Sequence, residues 1–233
     1  MAQDEVPIPD GECYLCGETY TKRGMYRHLR SCREDNLELK EEGKSFHLRV
    51  EGAHQPHYWL HLAAREDAQL EQLDQFLRDL WVECCGHLSG FRIEGDMYES
   101  STEGWARHGM DKKLGDVLEP GVEFNYKYDY GSTTSLSLEV DAEWTGRADE
   151  AVLLLARNRP PEIPCQCGKL ATNICIQHKH TEEGWLCDKC AEEHECDEEM
   201  MMPLVNSPRA GVCGYTGSLR ETEPHPSGAL HLV

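Results

Sequence analysis

Thiol and imidazole groups gather at both ends of this chain. Near the N-terminus stand Cys13, Cys16, His28 and Cys32, spaced Cys-x2-Cys-x11-His-x3-Cys. Towards the C-terminus come four close pairs: Cys165 with Cys167, Cys175 with His178, Cys187 with Cys190, and His194 with Cys196. Nine of the twelve cysteines lie in these two runs. Thiolate sulfur and neutral imidazole are the donors a tetrahedral zinc ion favours, and four protein donors leave no position open for a reacting water. The predicted chemistry is therefore structural metal binding. Two or three zinc ions per chain are expected, one in the N-terminal set and one or two in the C-terminal set.

The two-residue step from Cys13 to Cys16 suits a knuckle turn that points both sulfurs at one ion. His28 and Cys32 are four positions apart, which on a helix places them on one face, one turn apart. A helix is predicted over Lys22 to Cys32. Tyr20 and Met25 stand where a Cys-Cys-His-His finger keeps its two apolar core residues. The segment resembles that finger class, with a loop one residue shorter and Cys32 in place of the last histidine. So short a segment has almost no core of its own, so the metal is expected to supply its folding energy. In the C-terminal set, cross-bracing would put the first and third pairs on one ion and the second and fourth on another. A single ribbon-like site of Cys165, Cys167, Cys187 and Cys190 is the simpler alternative. Cys213 could replace Cys196 or His194, and His180 could replace His178.

Charge limits the partners. The formal net charge is -20 over 233 residues, which opposes attraction of the whole surface to nucleic acid or anionic membrane. Residues 11–33 are the exception: Lys22, Arg23, Arg27, Arg30 and Arg33 face only Glu12 and Glu18, a balance of +3. Contact with a partner or with nucleic acid is therefore expected through Lys22, Arg23, Arg27 and Arg30. The C-terminal cysteine-rich stretch has Lys169, Lys179, Lys189 and Arg209 against nine acidic residues, and suits a protein partner better than phosphate. No apolar run reaches the roughly 20 residues of a membrane-spanning helix. The acidic, proline-broken start MAQDEVPIPDGE lacks the pattern of a signal peptide, so a cytoplasmic location with reduced thiols is expected.

Between the two metal-binding ends the pattern is that of an α+β domain. Phe46, Leu48 and Val50 alternate, as do Tyr58, Leu60 and Leu62, and both runs predict strands. Leu70, Leu73, Leu77, Leu80 and Cys84 recur at helical steps from an N-cap at Asp67. Phe91 to Ile93 and Met97 to Tyr98 predict two more strands, and Lys112 to Leu118 a short helix. Val122, Phe124, Tyr126, Tyr128 and Tyr130 alternate, turn at Gly131-Ser132, and pair with Leu136, Leu138, Val140 and Ala142 as an antiparallel hairpin. Residues 151–155 (AVLLL) predict a buried strand. The expected architecture is a mostly antiparallel sheet with one main helix, flanked by two small zinc modules. The expected boundaries are 1–10 disordered, 11–33 finger, 34–44 linker, 45–158 α+β domain, 159–164 linker, 165–217 cysteine-rich module and 218–233 disordered tail.

FHLRV, the leucine-rich helix, HLSGFRIEGDMY, LGDVL and PGVEFNYKYDYG resemble the plasmid pRiA4b ORF-three-like family over about residues 45–155. The most specific piece is Phe124 to Gly131, which resembles the family's aromatic-Tyr-Asp-aromatic-Gly signature. Ser132, Thr133 and Thr134 stand where the family has Asp and Trp. A cysteine-rich tail ending near an Asn206-Ser207-Pro208-Arg209 turn extends the likeness to about residue 217. The resemblance implies an α+β fold and an association with plasmids or mobile elements, and it implies no reaction.

The remaining candidates take plain structural readings. His54, His57 and His61 are read as histidines on a loop and an exposed strand face. Cys84, Cys85 and His87 could ligate a metal or respond to redox; the preferred reading of Cys84 is a buried end to the helix stripe. Asp129 is read as a turn hydrogen bonder, the tyrosine ladder as a core-facing side, and the Asn206 to Arg209 turn as a cap on the zinc module. No catalytic triad, carboxylate pair or phosphate loop stands out. The function expected from sequence is a non-enzymatic, zinc-binding interaction protein; the alternative is a nucleic-acid-binding regulator, and the third reading an enzyme of unknown reaction.

Overall fold

The computed structural model describes residues 6–101 and 108–218. Ten strands form the main sheet: β1 (Gly11–Cys13), β2 (Thr19–Tyr20), β3 (Lys40–Gly52), β4 (Gln55–Arg65), β5 (Ser89–Ile93), β6 (Asp96–Glu99), β7 (His108–Gly109), β8 (Glu123–Tyr128), β9 (Thr134–Arg147) and β10 (Val152–Asn158). Their order is β2-β1-β10-β4-β3-β9-β8-β5-β6-β7. All neighbours are antiparallel except β6 and β7. The fold is α+β and mostly antiparallel, as expected.

Alternation along β3 and β4 decides what covers each face. Phe46, Leu48, Val50, Leu60 and Leu62 point to one side and are buried with Leu70, Leu73, Leu77, Leu80 and Trp81. These last five come from α2 (Leu70–Leu77) and a π-helical extension over Arg78–Val82. Fully burying a large apolar side chain is worth about 1.5–3 kcal/mol, so this stripe holds the helix on the sheet. The helix starts later than expected. Asp67 accepts from both Arg65 Nε and Nη2 at 2.7 Å, which takes its carboxylate away from capping. Gln72 closes the first turn instead, accepting from the Gln69 N–H at 3.0 Å.

The other face of the sheet is covered too. Helix α1 (Lys22–Asn36) buries Met25, Leu29 and Cys32 against Trp59, Ala63, Trp144, Leu153 and Leu155. The N-terminal finger is therefore part of the main body. Its first strand, β1, pairs with β10, placing Cys13 opposite Ala156. Gly11 is required there, because a Cβ would meet the Trp59 ring at 2.2 Å. This second layer corrects the reading of the histidines: His57 and His61 are buried, and only His54 is exposed. His61 Nδ1 lies 2.9 Å from His47 Nε2, and His47 Nδ1 lies 3.1 Å from an Asp141 oxygen.

The C-terminal module has its own sheet, β12-β11-β13, from β11 (Asn173–Cys175), β12 (Trp185–Leu186) and β13 (Met201–Pro203). Two short helices, α3 (Leu114–Val117) and α4 (Asp188–Glu192), and two 3-10 turns over Glu182–Gly184 and Glu198–Met200 complete the elements described. Within the expected 34–44 linker, α1 runs to Asn36 and β3 begins at Lys40. Val6, in the stretch expected to be disordered, is buried with Ile163, Ile174 and Trp185. Residues 1–5 and 219–233, covered by the two expectations of disorder, lie outside the described residues.

Candidate metal centres

The three expected donor groups each converge. In every group the donor atoms of four residues lie within 4.8 Å of one another: Cys13, Cys16, His28 and Cys32; Cys165, Cys167, Cys187 and Cys190; Cys175, His178, His194 and Cys196. The C-terminal pairs are cross-braced, first with third and second with fourth. His178 is the histidine used, while His180 lines a cleft of about 380 Å³ between the sheet and the C-terminal module. Cys213 is in neither C-terminal group.

In the finger, the Gly17 N–H bonds to Cys13 C=O at 2.7 Å and Gly17 takes a φ of 78°, closing the knuckle. Thr21 caps α1 by accepting from the Gly24 N–H at 3.0 Å. Tyr20 stacks on the His28 ring with centroids 4.1 Å apart. In the C-terminal module, Cys165 and Cys167 sit on a similar turn: the Gly168 N–H reaches Cys165 C=O at 2.9 Å, with a Gly168 φ of 86°. Cys175 ends β11, Cys187 follows β12, and α4 carries Cys190 towards the same point.

Whether zinc fits can be judged from distances. Zn–S bonds of about 2.3 Å and Zn–N bonds of about 2.0–2.1 Å give tetrahedral edges near 3.8 Å between sulfurs, 3.6 Å between sulfur and nitrogen, and 3.3 Å between nitrogens. Cys13 and Cys32 sulfurs are 3.8 Å apart, and those of Cys167 and Cys187 are 3.6 Å apart. Cys175 and Cys196 sulfurs each lie 3.6 Å from His178 Nδ1, which lies 3.2 Å from His194 Nε2. Cys16 Sγ is 3.2 Å from His28 Nε2, a little short of the ideal edge.

Electrostatics agree. Burial pushes the Cys13 thiol up, and the neighbouring Cys32 and Cys16 raise it further. Mutual contacts push Cys190 up to about 12. Burial also opposes ionisation of Cys165, but backbone N–H groups of Cys167 and Cys187 outweigh it and bring this thiol to about 7. Thiolates crowded this closely would need a cation among them, and a divalent ion would supply it.

The basic residues divide. Arg23, Arg27 and Arg30 are exposed on α1, away from the buried Met25 and Leu29. Lys22 is tied down, with Nζ 2.7 Å from a Glu51 oxygen and 3.0 Å from the Pro56 carbonyl.

The sequence profile of the plasmid pRiA4b ORF-3-like protein family matches residues 44–184. The chain belongs to that family. The matched region runs from β3 to the edge of β12, and takes in Cys165, Cys167, Cys175 and His178. A solved structure of a protein of unknown function from Methanosarcina mazei Go1 is 20% identical, covers 55% of this chain and 75% of that one, and superposes with a TM-score of 0.43. No curated protein matches the chain.

The family's aromatic signature is structural here. Asp129, at a left-handed φ of 63°, accepts from the Gly131 and Ser132 N–H groups at 2.9 and 3.2 Å. It also pairs with Arg209 Nη2 at 2.9 Å. Arg209 is fully buried and donates to Ser132 C=O at 3.1 Å and to Thr134 Oγ1 at 3.0 Å. Ser207 and Asn206 bond to Trp81 and Asn158. The Asn206 to Arg209 turn thus fastens onto the main sheet and the π-helical extension of α2, where a cap on the zinc module had been expected. Sequence reasoning weighed ligation by Cys84, Cys85 and His87 and preferred a core role; it missed that Cys213 joins them. Cys84 is half-buried, where a buried end to the helix stripe had been expected.

Proposed function

We propose that this chain is a zinc-binding interaction protein without an enzymatic role, in which metal ions fix short loops on a sheet scaffold. The observation that carries this reading is the closed, four-donor geometry of the three expected groups, with donor spacings that match tetrahedral edges. A catalytic zinc keeps an open position, and all four positions of each group are filled by protein donors. The cation is zinc, held by Cys13, Cys16, His28 and Cys32; by Cys165, Cys167, Cys187 and Cys190; and by Cys175, His178, His194 and Cys196. Elemental analysis of the purified, reduced chain tests it: at least three zinc ions per chain are expected, and fewer than two would remove the basis for the reading.

Nucleic-acid contact is the second reading. Arg23, Arg27 and Arg30 recur at steps of four and three on the exposed face of α1, and such a stripe fits a row of phosphates. The acidic surface elsewhere confines the contact to this helix and favours a small footprint. The family resemblance supports a place in plasmid or mobile-element biology. The location proposed is the cytoplasm, where the thiols stay reduced.

A further inference from the structure

The three cysteines outside the expected sets meet in space. Cys84, Cys85 and His87 lie in the loop after the π-helical stretch, and Cys213 arrives from the C-terminal segment. Cys85 and Cys213 sulfurs are 3.7 Å apart although 128 positions separate them. Cys84 and Cys85 sulfurs are 3.5 Å apart. His87 Nε2 lies 3.0 Å from Cys85 Sγ and 3.3 Å from Cys213 Sγ. We propose that Cys84, Cys85, His87 and Cys213 form a fourth zinc site, of three thiolates and one imidazole, which clasps the C-terminal segment to the main sheet. It goes beyond the three-site reading and stands or falls separately.

The donor atoms keep to the distances seen in the other groups, all within 4.8 Å. With this group included, each of the twelve cysteines has a place in a four-donor set and none is left over.

The loop is held by contacts that need no metal. Tyr128 Oη accepts from the Cys84 and His87 N–H groups at 3.4 and 3.2 Å and donates to Glu83 Oε1 at 2.8 Å. The same Glu83 oxygen accepts from the Gly86 N–H at 2.6 Å. The loop thus presents two sulfurs and an imidazole from a fixed frame.

The other strand of the clasp is shaped for the purpose. Cys213 adopts a φ of 52°, between Gly211 at 70° and Gly214 at 68°. A non-glycine residue in this region carries backbone strain and is found where the surroundings impose it. A pattern links the groups. Glycine directly follows cysteine at four places in the chain, and each such glycine has positive φ: Gly17, Gly86, Gly168 and Gly214. Two of these turns close the knuckles of expected groups, and the other two belong to this one.

Charge balance supports the same assignment. Three thiolates around a divalent ion leave one net negative charge. The Arg209 guanidinium lies beside it, with Nη2 3.3 Å from Cys84 Sγ, and is shared with the Asp129 carboxylate. None of the four residues in this group is buried, whereas each of the other groups contains at least one buried cysteine. This site should therefore release its metal first.

The test uses the full chain under reducing conditions. Cadmium NMR of the loaded wild type separates sites by sulfur count. Expected are one four-sulfur signal, one two-sulfur signal and two three-sulfur signals, the last from the finger and this site. A single three-sulfur signal beside the other two overturns the fourth site and leaves the three-site reading intact. Native mass spectrometry of Cys213→Ser and His87→Ala should show one zinc fewer than wild type, with loss of the fastest phase of release to a chromophoric chelator. Variants with the wild-type count overturn the proposal, as does a disulfide among Cys84, Cys85 and Cys213 while the other thiols remain free.

Discussion

Replacing Arg209 by alanine asks whether the C-terminal segment is integral to the main body. The guanidinium is fully buried, pairs with Asp129 at 2.9 Å, donates to Ser132 and Thr134, and stacks 4.7 Å from the Tyr128 ring centre. The Asp129 side chain is only 7% exposed. Removing one partner of a buried ion pair strands the other charge and costs about 3–5 kcal/mol. The cost is expected here because among the described residues no second cation pairs with Asp129 at this distance; His87 Nε2 is 3.6 Å away and carries charge only if protonated. With a urea dependence of about 2–3 kcal/mol/M, the unfolding midpoint should fall by about 1–2 M. The assay is urea unfolding of zinc-saturated protein, followed by tryptophan fluorescence with metal content checked before each titration. Adding Asp129→Asn should make the double variant no worse than Arg209→Ala alone, since the stranded carboxylate is gone. A midpoint shift below about 0.3 M, corresponding to under about 1 kcal/mol, would show that the segment rests on the surface, and the structural argument would fail.

Changing Arg23, Arg27 and Arg30 to Glu should abolish binding to nucleic acid, and wild-type binding should weaken steeply with salt; absent or salt-insensitive binding in the wild type excludes the second reading. His57 gives a pH signature. Burial, with Lys22 nearby, lowers its pKa to about 4 from the ordinary 6.5, and its Nδ1 has no hydrogen-bond partner among the described residues. Folding thus favours the neutral ring, so its contribution is fully present above pH 6.5 and is lost as pH falls towards 4. The slope is at most about 1.4 kcal/mol per pH unit. His57→Asn should lack this slope, so the stability difference between wild type and variant should carry it alone, while losses from His47, His61 and the metal sites cancel. Parallel curves for the two proteins through that window would contradict the burial argument.

What could be read from sequence was local. Knuckle spacing showed the three expected donor groups because each pair sits within one turn. Alternation showed the β8–β9 hairpin and the strands around it. Two things were hidden for one reason: long-range packing. The back face of β4 carries Trp59, His61 and Ala63, which alternation alone assigns to solvent, and only the docking of α1 buries them. Cys213 is far from Cys85 along the chain, and the anchoring of Ser207 and Arg209 brings them together. A signal for the fourth group did exist, in the two Cys-Gly pairs that match the finger and ribbon turns. The start of α2 was misplaced because Asp67 has a nearer cation in Arg65 than the helix amides it was expected to cap.

Native mass spectrometry of the reduced, full-length chain, paired with elemental analysis, is the most direct measurement of metal-held architecture. A ladder of zinc adducts ending at four, with all twelve thiols free once the metal is removed, is the expected result. A ladder ending at three keeps the expected sites and discards the fourth. A folded chain that carries no metal, or one whose thiols are joined as disulfides, contradicts the central claim.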